Sequence, residues 1–313
     1  MGSGKITKII EISCNYSKFA AHLTYIMDVI FNKKSLVSLL NPIKSRQGSI
    51  GFVPTMGALH PGHLSLVSRA ARENEVVVVS IFVNPTQFSN QADIEKYPSS
   101  LEADKDLLST LRVAVILFAP SALEMYPEGL FSKIYDFKGI DQFWEGADRP
   151  GHFNGVGTVV EKLFECVQPN RAYFGEKDFQ QLVIIKQLVA KKKQPIRVLG
   201  CPIIREANGL AMSSRNERLS EKGRAQAGII FKTLQWTASQ KGTTSLHVLR
   251  KKAIAKLEQT PGLHVFYFEF VSGKTLQPLI SSQDSEEGRI VTAVLLEGVR
   301  LLDNIEIETT KNI

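Results

Sequence analysis

The sequence predicts an α/β protein: a Rossmann-like, doubly wound parallel sheet followed by a smaller C-terminal α+β domain. Three observations carry that expectation. Residues 76–83 (VVVVSIFV) form an unbroken, largely β-branched run, the composition of a parallel strand buried on both faces. Short apolar runs alternate with helical periodicities from residue 49 to residue 203, the grammar of repeated βαβ units. Beyond Pro202 the order changes, and two helical stretches precede two strand-like runs.

The elements come in chain order. Phe19, Leu23, Ile26 and Ile30 recur at helical spacing, and Asn41-Pro42 closes the stretch after them. Residues 1–48 thus read as a helical, basic extension joined to the first domain, with the opening Met-Gly-Ser-Gly set aside from function. Residues 49–203 hold the parallel sheet. Ile50–Val53 is a strand ending at Pro54, and Leu64, Val67 and Ala71 mark the helix after it. The run at 76–83 is the next strand. A helix over 101–111 precedes a strand over 113–118, a helix over 156–167 precedes one over 171–174, and a helix over 179–190 precedes one over 196–199. Residues 204–313 form the second domain, with helices over 221–240 and 246–259, strands over 264–271 and 290–296, and a polar loop over 281–288.

Composition narrows the class of function. At about 150 residues per domain, 313 residues suggest two domains. The chain is 43% apolar and 22% charged, ordinary for a globular protein and unlike a disordered one. No apolar run reaches the ~18 residues of a membrane helix. No signal-peptide pattern precedes the early apolar stretch, so a soluble, cytoplasmic protein is expected. Cys14, Cys166 and Cys201 are too few and too scattered for a disulfide framework or zinc knuckle. The net charge of +7 is local: seven Lys/Arg against Glu11 and Asp28 in the first fifty residues give +5, leaving +2 for the rest. Lys191–Lys193 read as a solvated helix end, and no aromatics interleave the basic residues, so nucleic acid is not the expected partner.

Four segments can carry chemistry. In Pro54-Thr-Met-Gly-Ala-Leu-His60-Pro-Gly-His63, glycines at 57 and 62 let backbone approach an anion. Free amides of the first helical turn can receive phosphate there, and two imidazoles three residues apart can donate to it or, if protonated, spread a leaving group's charge. A metal pair or two incidental histidines are the alternatives, the first lacking further ligands at zinc spacing. Asn84 and Gln87, in FVNPTQF, sit at the next strand's end, where carboxamides can hold a carboxylate or hydroxyl; a plain Asn-Pro turn is the alternative. Lys177, in FGEKDFQQ, is a cation at a helix N-terminus, where the dipole opposes it and a bound phosphate would account for it. Asp178 beside it suits either a helix N-cap or a ribose hydroxyl. Finally, Met212-Ser213-Ser214-Arg215, in REANGLAMSSRN, suits the outer phosphates of a nucleotide, or else is a polar interdomain linker. To Arg149 and His152, in DRPGHF, first principles assign no role.

Together PTMGALHPGH, FVNPTQF, RPGHFNGV, FGEKDFQQ, REANGLAMSSRN and LLDNI, spread over residues 50–305, resemble the pantoate–β-alanine ligases. That family is related to the nucleotidyltransferases and synthetases with HIGH and KMSKS signatures. HPGH would be the first signature, and MSSR a divergent second. The resemblance implies that ATP activates (R)-pantoate as an adenylate, that β-alanine then displaces AMP, and that pantothenate, AMP and diphosphate result. It implies an ATP site built from Met56, Gly57, Ala58, Leu59, His60, Pro61, Gly62 and His63, with Gly175, Glu176, Lys177 and Asp178, Ile204 near the adenine, and Met212, Ser213, Ser214 and Arg215 on the outer phosphates. His60, His63 and Lys177 would be catalytic, with His63 the proton donor, and Asn84, Gln87 and Gln181 would hold pantoate and β-alanine. Mg²⁺ with ATP is implied, Asp104 being a candidate ligand, as are a homodimer and a closing lid. Ser99 stands where the family often has arginine, and the N-terminus is longer than the family leads one to expect. A different adenylyl transfer is the nearest rival reading, and a basic nucleic-acid binder is the rival from another class.

Overall fold

A computed structural model of the chain describes residues 28–88, 94, 100–281 and 287–307. The predicted helix at residues 19–30 lies outside these except for its last residues, and Ser99 lies outside them too.

Six parallel strands make the first sheet: β1 (Asp28–Ile30), β2 (Ile50–Thr55), β3 (Val76–Ile81), β4 (Val115–Phe118), β5 (Arg171–Gly175) and β6 (Arg197–Cys201). Their spatial order is β1-β4-β3-β2-β5-β6, every pairing parallel. The crossover helices are α1 (Lys33–Ser45), α2 (Pro61–Glu73), α3 (Leu101–Ser109), the short α4 (Ala122–Met125) and α5 (Glu145–Asp148), then α6 (His152–Val167) and α7 (Phe179–Lys191). Alternation along the strands feeds two cores. Val78, Ile116 and Phe118 pack with α1, α6 and α7, while Val77, Val79, Val115 and Leu117 pack with α2 and Leu108 of α3. Both strand faces are therefore dry, which is why their sequences run as unbroken apolar stretches.

The order reverses between β2 and β5: β3, β4 and β1 lie to one side, β6 to the other. In an open parallel sheet, the loops leaving the two strands at such a reversal diverge and leave a crevice beyond their carboxyl ends. The loops leaving β2 and β5 are those that carry HPGH and GEKD.

The second sheet is antiparallel: β7 (Leu263–Ser272), β8 (Gly288–Leu296) and β9 (Val299–Ile307) in that order. With α8 (Glu221–Ala227), α9 (Ile229–Ser239) and α10 (Leu246–Glu258) it encloses a third core around Leu234, Leu249 and Phe268.

Four local expectations are corrected. Ile30 lies in edge strand β1 rather than a helix, its pairing to β4 being non-local and invisible to periodicity. The Asn41-Pro42 pair does not close an element: Pro42 lies inside α1, whose apolar stripe of Leu36, Leu40 and Ile43 packs into the core and offsets the lost hydrogen bond. The segment 28–45 is therefore part of the first sheet's architecture. The helix over 221–240 is two helices broken at Gly228, where a Cβ would lie 2.6 Å from the Asn208 carbonyl. Strand β9 has no counterpart among the strands expected from periodicity. Its hairpin turns on Glu297 and Gly298, both at positive φ, and buried Asp303 and Asn304 interrupt its apolar alternation.

Candidate active site

The loop after β2 is held from below. Thr55 Oγ1 donates to the Ser80 carbonyl at 2.7 Å and accepts from the Gly57 amide at 3.3 Å. Gly57 has φ +82°, and a Cβ there would lie 3.0 Å from Asp104, so the turn needs glycine. The buried Asp104 carboxylate accepts from the amides of Ala58 (3.2 Å) and Leu59 (2.7 Å). These two oxygens hold the loop, a structural role beside the magnesium role that the resemblance implies for Asp104. Gly57, Ala58 and Leu59 thus form the frame of the loop more than the floor of the cleft.

His60 then caps α2. Its Nδ1 accepts from the Gly62 amide at 3.1 Å, and Nδ1 of His63 accepts from the His60 amide at 3.3 Å. Gly62 is required because a Cβ there would meet the His60 ring at 2.7 Å. The amides of His63 and Leu64 both donate to the His60 carbonyl, and Pro61 has none. The first turn therefore offers no free amide among residues 61–64, contrary to the expectation from sequence: the His60 ring takes that of Gly62, and the His60 carbonyl takes those of His63 and Leu64. What it offers instead is imidazole. With both Nδ1 atoms accepting, the proton of each neutral ring sits on Nε2. The rings lie 4.1 Å apart between centroids. Burial, with Lys177 nearby, pushes His60 down to about 4, and burial with the neighbouring His60 pushes His63 down to about 3. At neutral pH the pair is two uncharged Nε2–H donors rather than imidazolium.

The loop after β5 supplies the charge. Lys177 stands in a 3₁₀ turn (Glu176–Asp178) at the entry to α7, its Nζ 3.5 Å from the Asp178 carboxylate. Asp178 makes no side-chain cap for α7, so its N-cap role is not taken. The third arm is a hairpin in which the Met212 amide donates to the Ile204 carbonyl (2.9 Å) and Arg205 bridges Ala211. It ends in Ser213, whose Oγ accepts from the Arg215 amide at 3.3 Å.

One cleft joins these arms. Met56, His60, Gly62, His63, Asn84, Gln87, Gly175, Lys177, Asp178, Gln181, Ile204 and Met212 to Arg215 all line it. Leu59 and Pro61 line an adjoining cavity with Met212–Ser214 instead. Glu176 faces away, its carboxylate 3.3 Å from Arg289. Asn84 is buried and committed: its Nδ2 donates to Gln87 Oε1 and the Gly155 carbonyl (both 3.2 Å), and its Oδ1 accepts from Tyr126 (2.8 Å) and Thr86 (3.2 Å). It therefore orients Gln87 from the wall of the cleft. Gln87 in turn donates to Met56 Sδ at 3.0 Å.

Two residues that sequence reasoning left without a role are in the cleft. His152 donates from Nδ1 to the Gln87 carbonyl at 2.8 Å, and burial beside Arg149 pushes it down to about 4, leaving Nε2 as an acceptor. Arg149 also reaches that carbonyl, at 3.3 Å. Both residues meet the FVNPTQF loop at the Gln87 carbonyl, and that pairing is tertiary. Val156, Val159, Val160 and Leu163 of α6 add an apolar wall.

Neutral imidazole donors at a helix start, a lysine and an arginine on facing loops, and a switch-point crevice are the chemistry that suits a nucleotide's phosphates in an α/β protein of the adenylyl-transferring class. Comparison with known proteins narrows this. The pantoate-beta-alanine ligase family matches residues 28–306. Pantothenate synthetase of Christiangramia forsetii is 45% identical over 279 residues, 89% of this chain and 99% of that protein. That of Bacteroides thetaiotaomicron is 46% identical over 280 residues, 90% and 99%. Pantothenate synthetase from Thermus thermophilus superposes with a TM-score of 0.83 at 42% identity, covering 90% of this chain and 99% of that one. The Francisella tularensis pantoate-beta-alanine ligase, solved with β-γ ATP and β-alanine, gives 0.73 at 40% identity, covering 90% and 97%. The chain belongs to the pantoate–β-alanine ligase family.

Proposed function

We infer that this cleft condenses (R)-pantoate with β-alanine at the expense of ATP, giving pantothenate, AMP and diphosphate through a pantoyl-adenylate. The observation that carries the reading is the convergence of three loops on one crevice: His60 and His63 after β2, Lys177 after β5, and Ser213–Arg215 on the hairpin.

The pantoate carboxylate attacks the α-phosphorus, the bond to the bridging oxygen breaks, and diphosphate leaves. Charge rises on the α-phosphoryl oxygens and on the leaving group. Lys177 faces the first, and the Nε2–H groups of His60 and His63 with Ser213, Ser214 and Arg215 face the second. Such donors act because they are already oriented in a site shielded from water. Gln87, held by Asn84 and Met56, and Gln181 on α7 grip pantoate's polar end, while the apolar wall of α6 suits its branched alkyl carbon. The β-alanine amine then attacks the acyl carbon, AMP departs, and the amine's proton passes to solvent or to the AMP phosphate. Residues 204–313, which carry the hairpin, serve as a lid that keeps water from the adenylate.

Magnesium belongs to this reading only as ATP's companion. Among the described residues no group of three His, Cys, Asp or Glu side chains could hold a metal ion, and Asp104 is occupied by the loop amides. ATP-bound magnesium commonly takes its ligands from the phosphates, water and one or two carboxylates, and no step here runs through the ion. No helix of the described residues is long and apolar enough to cross a membrane. A homodimer working in the cytoplasm is part of the same reading and rests on the resemblance.

The test is exchange of labelled diphosphate into ATP with β-alanine omitted. Exchange that requires (R)-pantoate supports the acyl-adenylate step and its acid together. A folded, ATP-binding sample that exchanges only with another acid, or not at all, moves the assignment to another adenylyl transfer.

A further inference from the structure

The Leu301–Ile305 run on β9 belongs to the resemblance but has no role in the reaction described above. In the structure it stands behind both cation-bearing loops. Asn304 is buried, and its Nδ2 donates to the backbone carbonyls of Glu176 at 2.8 Å and Lys177 at 3.1 Å. Its Oδ1 accepts from Arg289 at 2.6 Å, and that guanidinium lies over the Phe179 ring, 4.0 Å from the centroid. The neighbouring Asp303, also buried, takes Arg205 in a two-pronged grip at 2.7 and 2.9 Å. Arg205 is the residue that bridges Ala211 at the base of the hairpin ending in Met212–Arg215. Asp303 Oδ1 also accepts from the Asn304 amide at 2.7 Å, tying the two grips together. Consecutive residues of one strand therefore hold the backbone of Lys177 and the root of the Ser213–Arg215 loop.

Neither side chain touches the His60–His63 cleft; both line the neighbouring cavity between the two sheets. Their effect on the reaction has to pass through the loops they hold. Buried ion pairs are often no more stabilising than well-packed apolar groups, and in some proteins what they supply is a specified geometry. Two cations on separate loops can act on one triphosphate only if the spacing between them is set.

We propose that Asn304 and Asp303 are positioning residues for adenylation, fixing the Lys177 loop and the Ser213–Arg215 loop at the separation that lets both meet one ATP. This rests on the assignment of those loops to ATP's phosphates made above. Asn304 acts through Lys177, and Asp303 acts through the hairpin and Arg215.

The experiment is a pair of double-mutant cycles read by pantoate-dependent ATP–diphosphate exchange on the full chain. Asn304→Ala removes both donors to the loop, and its maximal exchange rate falls by about tenfold or more, the scale of a misplaced catalytic group, with KM for pantoate changing less than ~2-fold. In a Lys177→Ala background the same substitution costs less than about twofold, because the group it positioned is gone. Asp303→Asn behaves likewise against Arg215→Ala. Equal fold losses in both backgrounds, or a normal rate in a folded Asn304→Ala protein, overturn the proposal and leave the strand a structural role only. Should Asn304→Ala lose cooperative thermal unfolding, the isosteric Asp303→Asn cycle decides by the same criterion. A Lys177→Ala protein that exchanges at near-normal rate overturns the phosphate assignment itself, an outcome distinct from additivity.

Discussion

His60 has two separable jobs, and one substitution tells them apart. Its Nδ1 caps α2 by accepting from the Gly62 amide at 3.1 Å, while in the proposed reaction its Nε2–H is the group offered to phosphate. His60→Ala removes both. Loss of a side-chain N-cap costs ~1 kcal/mol, which lowers Tm by a few degrees in a chain of this size. Loss of one preorganised donor to developing charge costs ~2.7–4 kcal/mol of transition-state stabilisation, or ~100- to 1,000-fold in rate. His60→Asn keeps an acceptor near the Nδ1 position and puts nothing at Nε2. Asparagine is among the best N-cap residues, so this variant melts close to the parent. Its exchange rate nevertheless falls with that of His60→Ala. The assays are thermal unfolding and pantoate-dependent ATP–diphosphate exchange on the same preparations. A His60→Asn protein with near-parental exchange would refute the reasoning, because capping would then be the whole of what His60 does.

Three further outcomes follow from the geometry. His60, His63 and His152 are held neutral by burial, at about 4, 3 and 4, so below pH 6.5 the unfolded chain takes up protons that the folded chain does not. Their contribution is intact above pH 6.5 and lost as pH falls toward 4, at up to ~1.4 kcal/mol per pH unit for each ring; in denaturant titrations His63→Gln flattens the slope between pH 6 and 5 by about that amount. Asp104→Asn leaves one of the Ala58 and Leu59 amides without an acceptor and costs ~1–3 kcal/mol of stability. It should leave the magnesium requirement unmoved; a shift of ~10-fold in the half-maximal magnesium concentration would show Asp104 to be tied to the metal after all. Removing residues 1–27 leaves exchange intact, whereas removing 1–48 strips β1 and the buried Leu36, Leu40 and Ile43 of α1. That loss of ~2 kcal/mol per side chain approaches the stability of a whole domain, so the shorter protein unfolds at far lower denaturant.

The alternation of strand and helix was legible because both faces of the first sheet are covered, leaving continuous apolar runs at 76–81 and 115–118 with helical periods between them. The chemistry-bearing segments were legible because glycine, histidine and lysine stand where strands end. What they do there was only partly so. The amides after His60 look free in a sequence, and only the folded loop shows His60 turning back to cap its own helix. Asp104 looks like a metal ligand, and only the loop after β2 shows what its oxygens already hold.

By itself, then, the sequence determined the fold class, the two sheets' order along the chain, and the residue types available for phosphate and carboxylate recognition. These depend on local periodicity and on side-chain chemistry, both carried within a few residues. The tertiary structure alone decided the edge strand β1, the switch point between β2 and β5, the neutral state of the paired imidazoles, and the grip of Asp303 and Asn304 on two distant loops. Each of these is a contact or a desolvation between segments separated by tens of residues or more, and a linear pattern holds no record of which groups burial will bring together.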